Sequence, residues 1–156
     1  MIGIGYDMHQ LKEGESLFLG GIEIDSEIGT VAHSDGDVLL HSIIDALLGA
    51  MCKGDIGDFF PDTDEQYKNA DSKVLYKEII EILYRENYQI INIDVTIVTE
   101  KPKISPLKQK LKESIANLSK IHINKVNIKA TTNEKRGFIG RNEGIVVLSA
   151  CQLEKA

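Results

Sequence analysis

The fifteen residues from Val38 to Cys52 are apolar or small except for His41, Ser42 and Asp45. The stretch has helical length, and a helix apolar almost all round must be covered by other elements. The rest of the chain supplies that cover. Ile2 to Asp7 reads as a strand, and Leu17-Phe18-Leu19 and Ile22-Glu23-Ile24 read as a hairpin turning on Gly20-Gly21. Either Asp35 or Asp37 can cap the apolar helix, and Asp71 caps a second one with Val74, Leu75, Ile79, Ile82 and Leu83 as its stripe. Ile91 to Ile97 alternates as a half-buried strand. Ser105-Pro106 opens a third helix, Ser as cap and Pro in the first turn, with Leu107, Leu111, Ile115 and Leu118 facing inward. Val126 to Ala130 alternates again, and Ile145 to Leu153 supplies a last strand. The order β-β-β-α-α-β-α-β-β mixes hairpins with one βαβ crossover and predicts an α+β domain with helices over a sheet. With no repeat or linker in view, residues 1–156 read as one domain.

Charge narrows the partners. The chain carries −6 overall, yet Thr99 to Arg141 holds eleven Lys or Arg against three Glu, a local +8 that leaves −14 elsewhere. Such asymmetry suits an anionic partner. Lys108, Lys110, Lys112 and Lys120 are explained by a solvated helix face, whereas Lys101, Lys103, Lys135, Arg136 and Arg141 stand beside Gly, Pro or loop signals. Cys52 and Cys151 lie in apolar context without metal-ligand spacing and read as small core residues in a reducing compartment. No run is apolar and long enough to span a bilayer.

Chemistry-bearing residues fall in four places. Asp7 and His9, at i and i+2 on a strand, leave one face together. A third donor, His41, would complete three protein ligands with an open fourth position, as in catalytic zinc sites. Otherwise His41 is a core histidine, whose ring nitrogens still need partners; Asp45, one turn away, is the expected outer acceptor. His33-Ser34-Asp35-Gly36-Asp37 precedes the buried helix and reads either as a phosphate site or as a capped turn. Gly54 to Asp64 is a loop whose carboxylates either bind sugar hydroxyls or face water. Ala130 to Lys135, followed by Gly137-Phe138-Ile139-Gly140-Arg141, suits phosphate and Mg²⁺, or is a polar hairpin tip.

Assembled in order, these segments resemble the 2-C-methyl-D-erythritol 2,4-cyclodiphosphate synthase family. The matching stretches include Gly3-Ile4-Gly5-Tyr6-Asp7-Met8-His9, Leu19-Gly20-Gly21, Ala32-His33-Ser34-Asp35-Gly36-Asp37, Leu40-His41 and Asp45-Ala46-Leu47-Leu48-Gly49-Ala50. They continue through Gly54-Asp55-Ile56-Gly57, Phe60-Pro61-Asp62-Thr63-Asp64, Ala70-Asp71-Ser72, Asp94-Val95-Thr96-Ile97, Pro102-Lys103 and Lys129-Ala130-Thr131-Thr132. Glu134-Lys135, Gly137-Phe138, Gly140-Arg141 and Glu143-Gly144-Ile145 close the series. Ile2, Met8, Asn133 and Thr99-Glu100-Lys101 are variant positions, and none removes a ligand.

The resemblance implies a ferredoxin-like α+β fold, its mixed sheet covered by helices on one side, and a homotrimer with active sites between subunits. It implies a phosphorus-oxygen lyase of non-mevalonate isoprenoid synthesis. In 4-diphosphocytidyl-2-C-methyl-D-erythritol 2-phosphate, the 2-phosphate would attack the β-phosphate, closing the 2,4-cyclodiphosphate and releasing CMP. Asp7, His9 and His41 then correspond to ligands of one Zn²⁺ per subunit, Glu134 to the ligand of Mg²⁺ or Mn²⁺, and His33 and Thr132 to transition-state stabilisers. Ser34, Asp55, Ile56, Gly57, Phe60, Pro61, Asp62, Thr63 and Asp64 correspond to substrate contacts on one side. Thr99, Glu100, Lys101, Pro102, Lys103, Ile104, Ser105, Thr131 and Asn133 correspond to the cytidine and diphosphate pocket, and Phe138 and Arg141 to further contacts. The setting implied is bacterial cytoplasm, or plastid stroma for a trimmed eukaryotic protein, with neither nucleic acid nor membrane as partner.

Two other readings use the same residues. A zinc-dependent phosphoesterase would use the same three ligands and give a linear product. An RNA-binding module would use the basic region, although Phe138 is its one aromatic where stacking platforms use several.

Overall fold

The structure, a computed structural model, describes residues 1–156. Five strands form one mixed sheet in the order β4 (Ile28–Val31), β1 (Ile2–Glu13), β7 (Gly144–Lys155), β5 (Tyr88–Val98) and β6 (Val126–Thr131). Neighbours run antiparallel except β5 and β6, which are parallel and joined through helix α4 (Lys108–Ser119). Strands β2 (Leu17–Leu19) and β3 (Ile22–Ile24) pair separately as a hairpin, with Gly20 and Gly21 at φ 62° and 77°. That left-handed backbone at both turn residues is what a glycine pair permits.

Helix α1 (Val38–Ala50) lies on the sheet, as its apolar circumference requires. Strand β1 receives it with glycines. A Cβ at Gly3 would stand 1.9 Å from the Ala46 carbonyl oxygen, and one at Gly5 would stand 1.8 Å from that of Ser42. The helix therefore rests directly on strand backbone. Helices α3 (Ser72–Arg85) and α4 close the other sides, and a single cluster of 35 buried apolar residues unites them with the covered sheet face.

The other face of β1 is open. Ile2, Ile4 and Tyr6, alternating with Gly3, Gly5 and Asp7, are 72%, 73% and 56% exposed; Met8 and Leu148 are exposed beside them. No helix is long and apolar enough to cross a membrane.

The α+β class and the glycine hairpin agree with expectation; several local features differ. β4 is a fourth early strand, registered on β1 from Gln10–Val31 to Glu13–Ile28, and β1 runs on to Glu13 instead of ending near Asp7. Two segments read as irregular form single helical turns, α2 (Ile56–Phe59) and α5 (Gly137–Gly140). Ser105 is no cap: Ser105–Leu107 is a 3-10 turn, and α4 follows without a side-chain cap. On α3, Val74 points outward and Tyr76 and Ile80 are buried instead. Cys52 is exposed, past the end of α1 at φ 58°, whereas Cys151 is core.

Candidate metal centre and substrate cleft

Alternation along β1 sends Gly3, Gly5, Asp7 and His9 to the α1 side. Because the two glycines admit the helix so closely, its first turn delivers His41 against Asp7. His9 Nδ1 lies 3.1 Å from Asp7 Oδ2, and His41 Nδ1 lies 3.4 Å from the same oxygen. All three donor atoms fall within 4.8 Å of one another. Metal–ligand bonds of about 2.0–2.1 Å at tetrahedral angles separate donors by about 3.3 Å, so two of the three spacings suit one ion. Asp7 Oδ2 and His9 Nδ1 are also buried without hydrogen-bond partners. Buried polar atoms in that state call for something to satisfy them. The donor set, one carboxylate and two imidazoles, fits a divalent transition metal.

Electrostatics bind the trio further. Burial pushes the Asp7 carboxyl up, but the His41 and His9 imidazoles close beside it outweigh that and hold the group below its ordinary range. Burial pulls the His41 imidazole down, and Asp7, aided by Asp37 and Asp35, reverses that and raises it.

The outer partner of His41 is not Asp45. The Asp45 carboxylate accepts the Ile56 N–H at 2.8 Å and anchors α2 to α1. His41 Nε2 instead meets Ser72 Oγ at 2.8 Å. Ser72 opens α3, thirty-one residues away, and spacing around His41 gives no sign of it.

Asp37 is the cap of α1. Its fully buried carboxylate accepts the Leu40, Gly20 and Gly21 N–H groups at 3.0, 2.9 and 2.6 Å, tying the hairpin to the helix start. The preceding loop is thereby fixed beside the trio. His33, Ser34, Ile56, Gly57, Phe60, Pro61, Asp62 and Thr63 line one cleft of about 850 Å³ with Asp7, His9 and His41. Lys68 adds a cation, and Glu65 and Tyr67 complete a wall that sequence reading passed over. Asp55 forms a capping box with Asp58, and Asp64 caps the 3-10 turn Glu65–Tyr67. Their carboxylates thus shape the loop.

The remaining residues expected from the sequence to belong to the site stand elsewhere. None of Thr99, Glu100, Lys101, Pro102, Lys103, Ile104, Ser105, Thr131, Thr132, Asn133, Glu134, Phe138 or Arg141 lines the cleft. They gather where β5 and β6 end: the Thr99 N–H donates to the Thr131 carbonyl at 3.1 Å, and the Lys135 N–H to Glu100 Oε1 at 2.7 Å. Val98 faces Val146, which also faces Met8, so both groups share one end of the sheet. Three strand spacings nevertheless separate β1 from β6, about 14 Å. Thr131 to Phe138 are all exposed, and Arg141 is paired with Glu143 at 3.0 Å.

Comparison with known proteins places the chain in a family. The YgbB family matches residues 1–154. The chain belongs to the YgbB family. Among curated relatives, a 2-C-methyl-D-erythritol 2,4-cyclodiphosphate synthase of Geobacillus is 51% identical over 154 residues, covering 99% of this chain and 98% of that protein. A bifunctional enzyme IspD/IspF of Aliarcobacter butzleri is 52% identical over 152 residues. There the match covers 97% of this chain but 41% of the relative. Of solved structures, the bifunctional IspDF from Campylobacter jejuni superposes with a TM-score of 0.94 at 43% identity, over 99% of this chain and 42% of that one. A CDP-bound form of 2C-methyl-D-erythritol-2,4-cyclodiphosphate synthase gives 0.91 at 31% identity, over 99% of this chain and all of the other. The phosphoesterase reading gains no support from these YgbB-family relatives.

Proposed function

We propose that residues 1–156 act as one cyclodiphosphate synthase domain, a phosphorus-oxygen lyase of non-mevalonate isoprenoid synthesis. It converts 4-diphosphocytidyl-2-C-methyl-D-erythritol 2-phosphate to 2-C-methyl-D-erythritol 2,4-cyclodiphosphate and CMP. The observation that carries the reading is the convergence of the Asp7, His9 and His41 donor groups within 4.8 Å of one another in the lining of one cleft. A 2-phosphate oxygen attacks the β-phosphorus, the bond from that phosphorus to the α-phosphate oxygen breaks, and CMP leaves with that oxygen.

Nucleophile and electrophile belong to one molecule, so the protein's task is to fold an extended anion back on itself. Orientation of this kind contributes about 7–11 kcal/mol in favourable cases. His33 and Ser34, which line the same cleft as the trio, hold the diphosphate while the wall from Ile56 to Thr63 holds the methylerythritol part. Thr132, near Glu134, steadies the developing charge on phosphorus. Asp7, His9 and His41 would hold Zn²⁺ and Glu134 would hold Mg²⁺ or Mn²⁺, cations that supply positive charge to offset repulsion between phosphates.

The cytidine pocket, formed by Thr99 to Ser105 and Thr131 to Asn133, comes from a neighbouring copy in a homotrimer. Two facts support this. The pocket residues lie outside the cleft of their own chain. The open face of β1 offers Ile2, Ile4, Tyr6 and Met8 as an apolar surface of the kind that marks an interface. A cytoplasmic or stromal setting accords with the free cysteines.

Incubation of the purified protein with the diphosphocytidyl substrate, Zn²⁺ and Mg²⁺, followed by phosphorus NMR, tests the proposal. Cyclic diphosphate and CMP in equal amounts are expected. A linear phosphorylated product would overturn it.

A further inference from the structure

We propose that Ser72 and Asp35 are positioning residues that fix the His41 ring in the tautomer whose Nδ1 is free to bind a metal. The inference rests on the reading of Asp7, His9 and His41 as a divalent-cation site, and it concerns residues that reading leaves without a role.

The hydrogen-bond arithmetic leaves one solution. His41 presents Nδ1 to Asp7 and Nε2 to Ser72 Oγ, the latter at 2.8 Å. Ser72 Oγ also bonds Asp35 Oδ1. A serine hydroxyl has one proton, and a carboxylate only accepts. The Ser72 proton therefore goes to Asp35, and Ser72 Oγ accepts from His41. Nε2 must then carry its hydrogen, so the neutral ring, the form that binds a metal, has its Nδ1 lone pair facing Asp7 and His9. A histidine ligand commonly donates its second ring N–H to an outer acceptor, which fixes ring orientation and basicity.

The chain of bonds is anchored at its far end. Asp35 Oδ2 accepts the Ser72 N–H at 2.9 Å, and Oδ1 accepts the Asp37 N–H at 3.2 Å. Ser72 is fully buried and is not a helix cap, since Asp71 fills that place on α3. Its hydroxyl is thus free for His41 and Asp35. Three separate pieces of chain meet here: α1 through His41, α3 through Ser72, and the loop that also carries His33 and Ser34. The same bonds that hold the ligand ring also set the loop that flanks it.

The test is zinc affinity of the full chain by chelator competition, together with the visible absorption spectrum of the Co²⁺-substituted protein. Ser72→Ala is expected to weaken zinc binding about 10–100-fold and to alter the cobalt bands. Asp35→Asn, which keeps an acceptor but loses the charge, should fall between wild type and Ser72→Ala; should Ser72→Ala fail to fold without metal, this variant carries the comparison. In a His41→Ala background, Ser72→Ala should add no further loss. Unchanged affinity and cobalt spectrum in the Ser72 and Asp35 variants, with zinc lost in His41→Ala, would overturn the positioning role alone. Zinc retained at wild-type affinity in His41→Ala would overturn the metal reading beneath it.

Discussion

His41 carries two tasks that its helix alone does not explain. Its ring is mostly buried, one nitrogen faces a carboxylate and the other a hydroxyl. His41→Ala should lower bound zinc from one equivalent to well below it, and abolish turnover. The metal-free fold should persist, because neighbouring core residues keep their packing; metal analysis beside a thermal melt checks both. The titration signs can be followed as well. Asp7, held below its ordinary 3.8, contributes stability that is present above that value and lost as pH falls through its lower folded value. His41, raised above 6.5, contributes stability present below that value and lost as pH rises through its higher folded value. Both contributions overlap between those two ordinary values, so metal-free protein should lose stability on the alkaline side. Zinc needs the unprotonated ring, so its stabilising effect should grow over the same rise. Melts with and without chelator, from about pH 6 to about pH 8, should diverge in wild type and run parallel in His41→Ala. Glu134→Gln should weaken the Mg²⁺ titration of turnover while leaving zinc content intact; an unchanged titration would remove Glu134 from that role.

At the scale of elements, the contact between β1 and α1 decides where the site forms. A methyl at Gly5 would meet the Ser42 carbonyl oxygen, which belongs to helix backbone and cannot swing aside. Gly5→Ala should therefore cost about 3 kcal/mol, the upper end for overpacking. In a chain of this size that lowers the melting midpoint by about 6–12 °C, and zinc affinity should fall with it as His41 is lifted from Asp7. Much of this arrangement was legible in advance. Strand alternation put Asp7 and His9 on one face, an almost wholly apolar helix had to be buried, and Asp71 stood where a cap belongs. What escaped was set by distance along the chain. Ser72 is the partner of His41 only because α3 packs beside α1, and Asp45 looked suitable at one helical turn until Ile56 claimed it. β4 escaped because Ile28–Val31 is a short edge strand containing Gly29, with little alternation to betray it. Cys52 reads as core by its neighbours, yet a left-handed backbone just past the helix turns it outward.

At the scale of the whole molecule, the residues of the proposed site fall into two groups at the same end of the sheet, with Glu134 outside the cleft that His41 lines. On the proposed reading a site made from both groups calls for a second copy, for which the open β1 face is the candidate surface. Ile4→Glu places charge on a side chain that is 73% exposed in the single chain, so the fold should tolerate it. The variant should sediment as a monomer, keep its zinc, and lose turnover. Complementation is the sharper test. At a Mg²⁺ concentration that saturates wild type but not Glu134→Gln, His41→Ala and Glu134→Gln are each expected to turn over far below wild type alone, because on the proposed reading every site in either assembly has one impaired half. Random exchange of subunits at equal concentration would pair an intact cleft from one variant with an intact Glu134 from the other at one site in each mixed trimer, about one site in four of the whole population. Activity recovered near that fraction requires sites shared between chains. If the mixture stays as inactive as its parents while subunit exchange is verified by mass, each chain must complete its site alone, and the β1 face must serve something else.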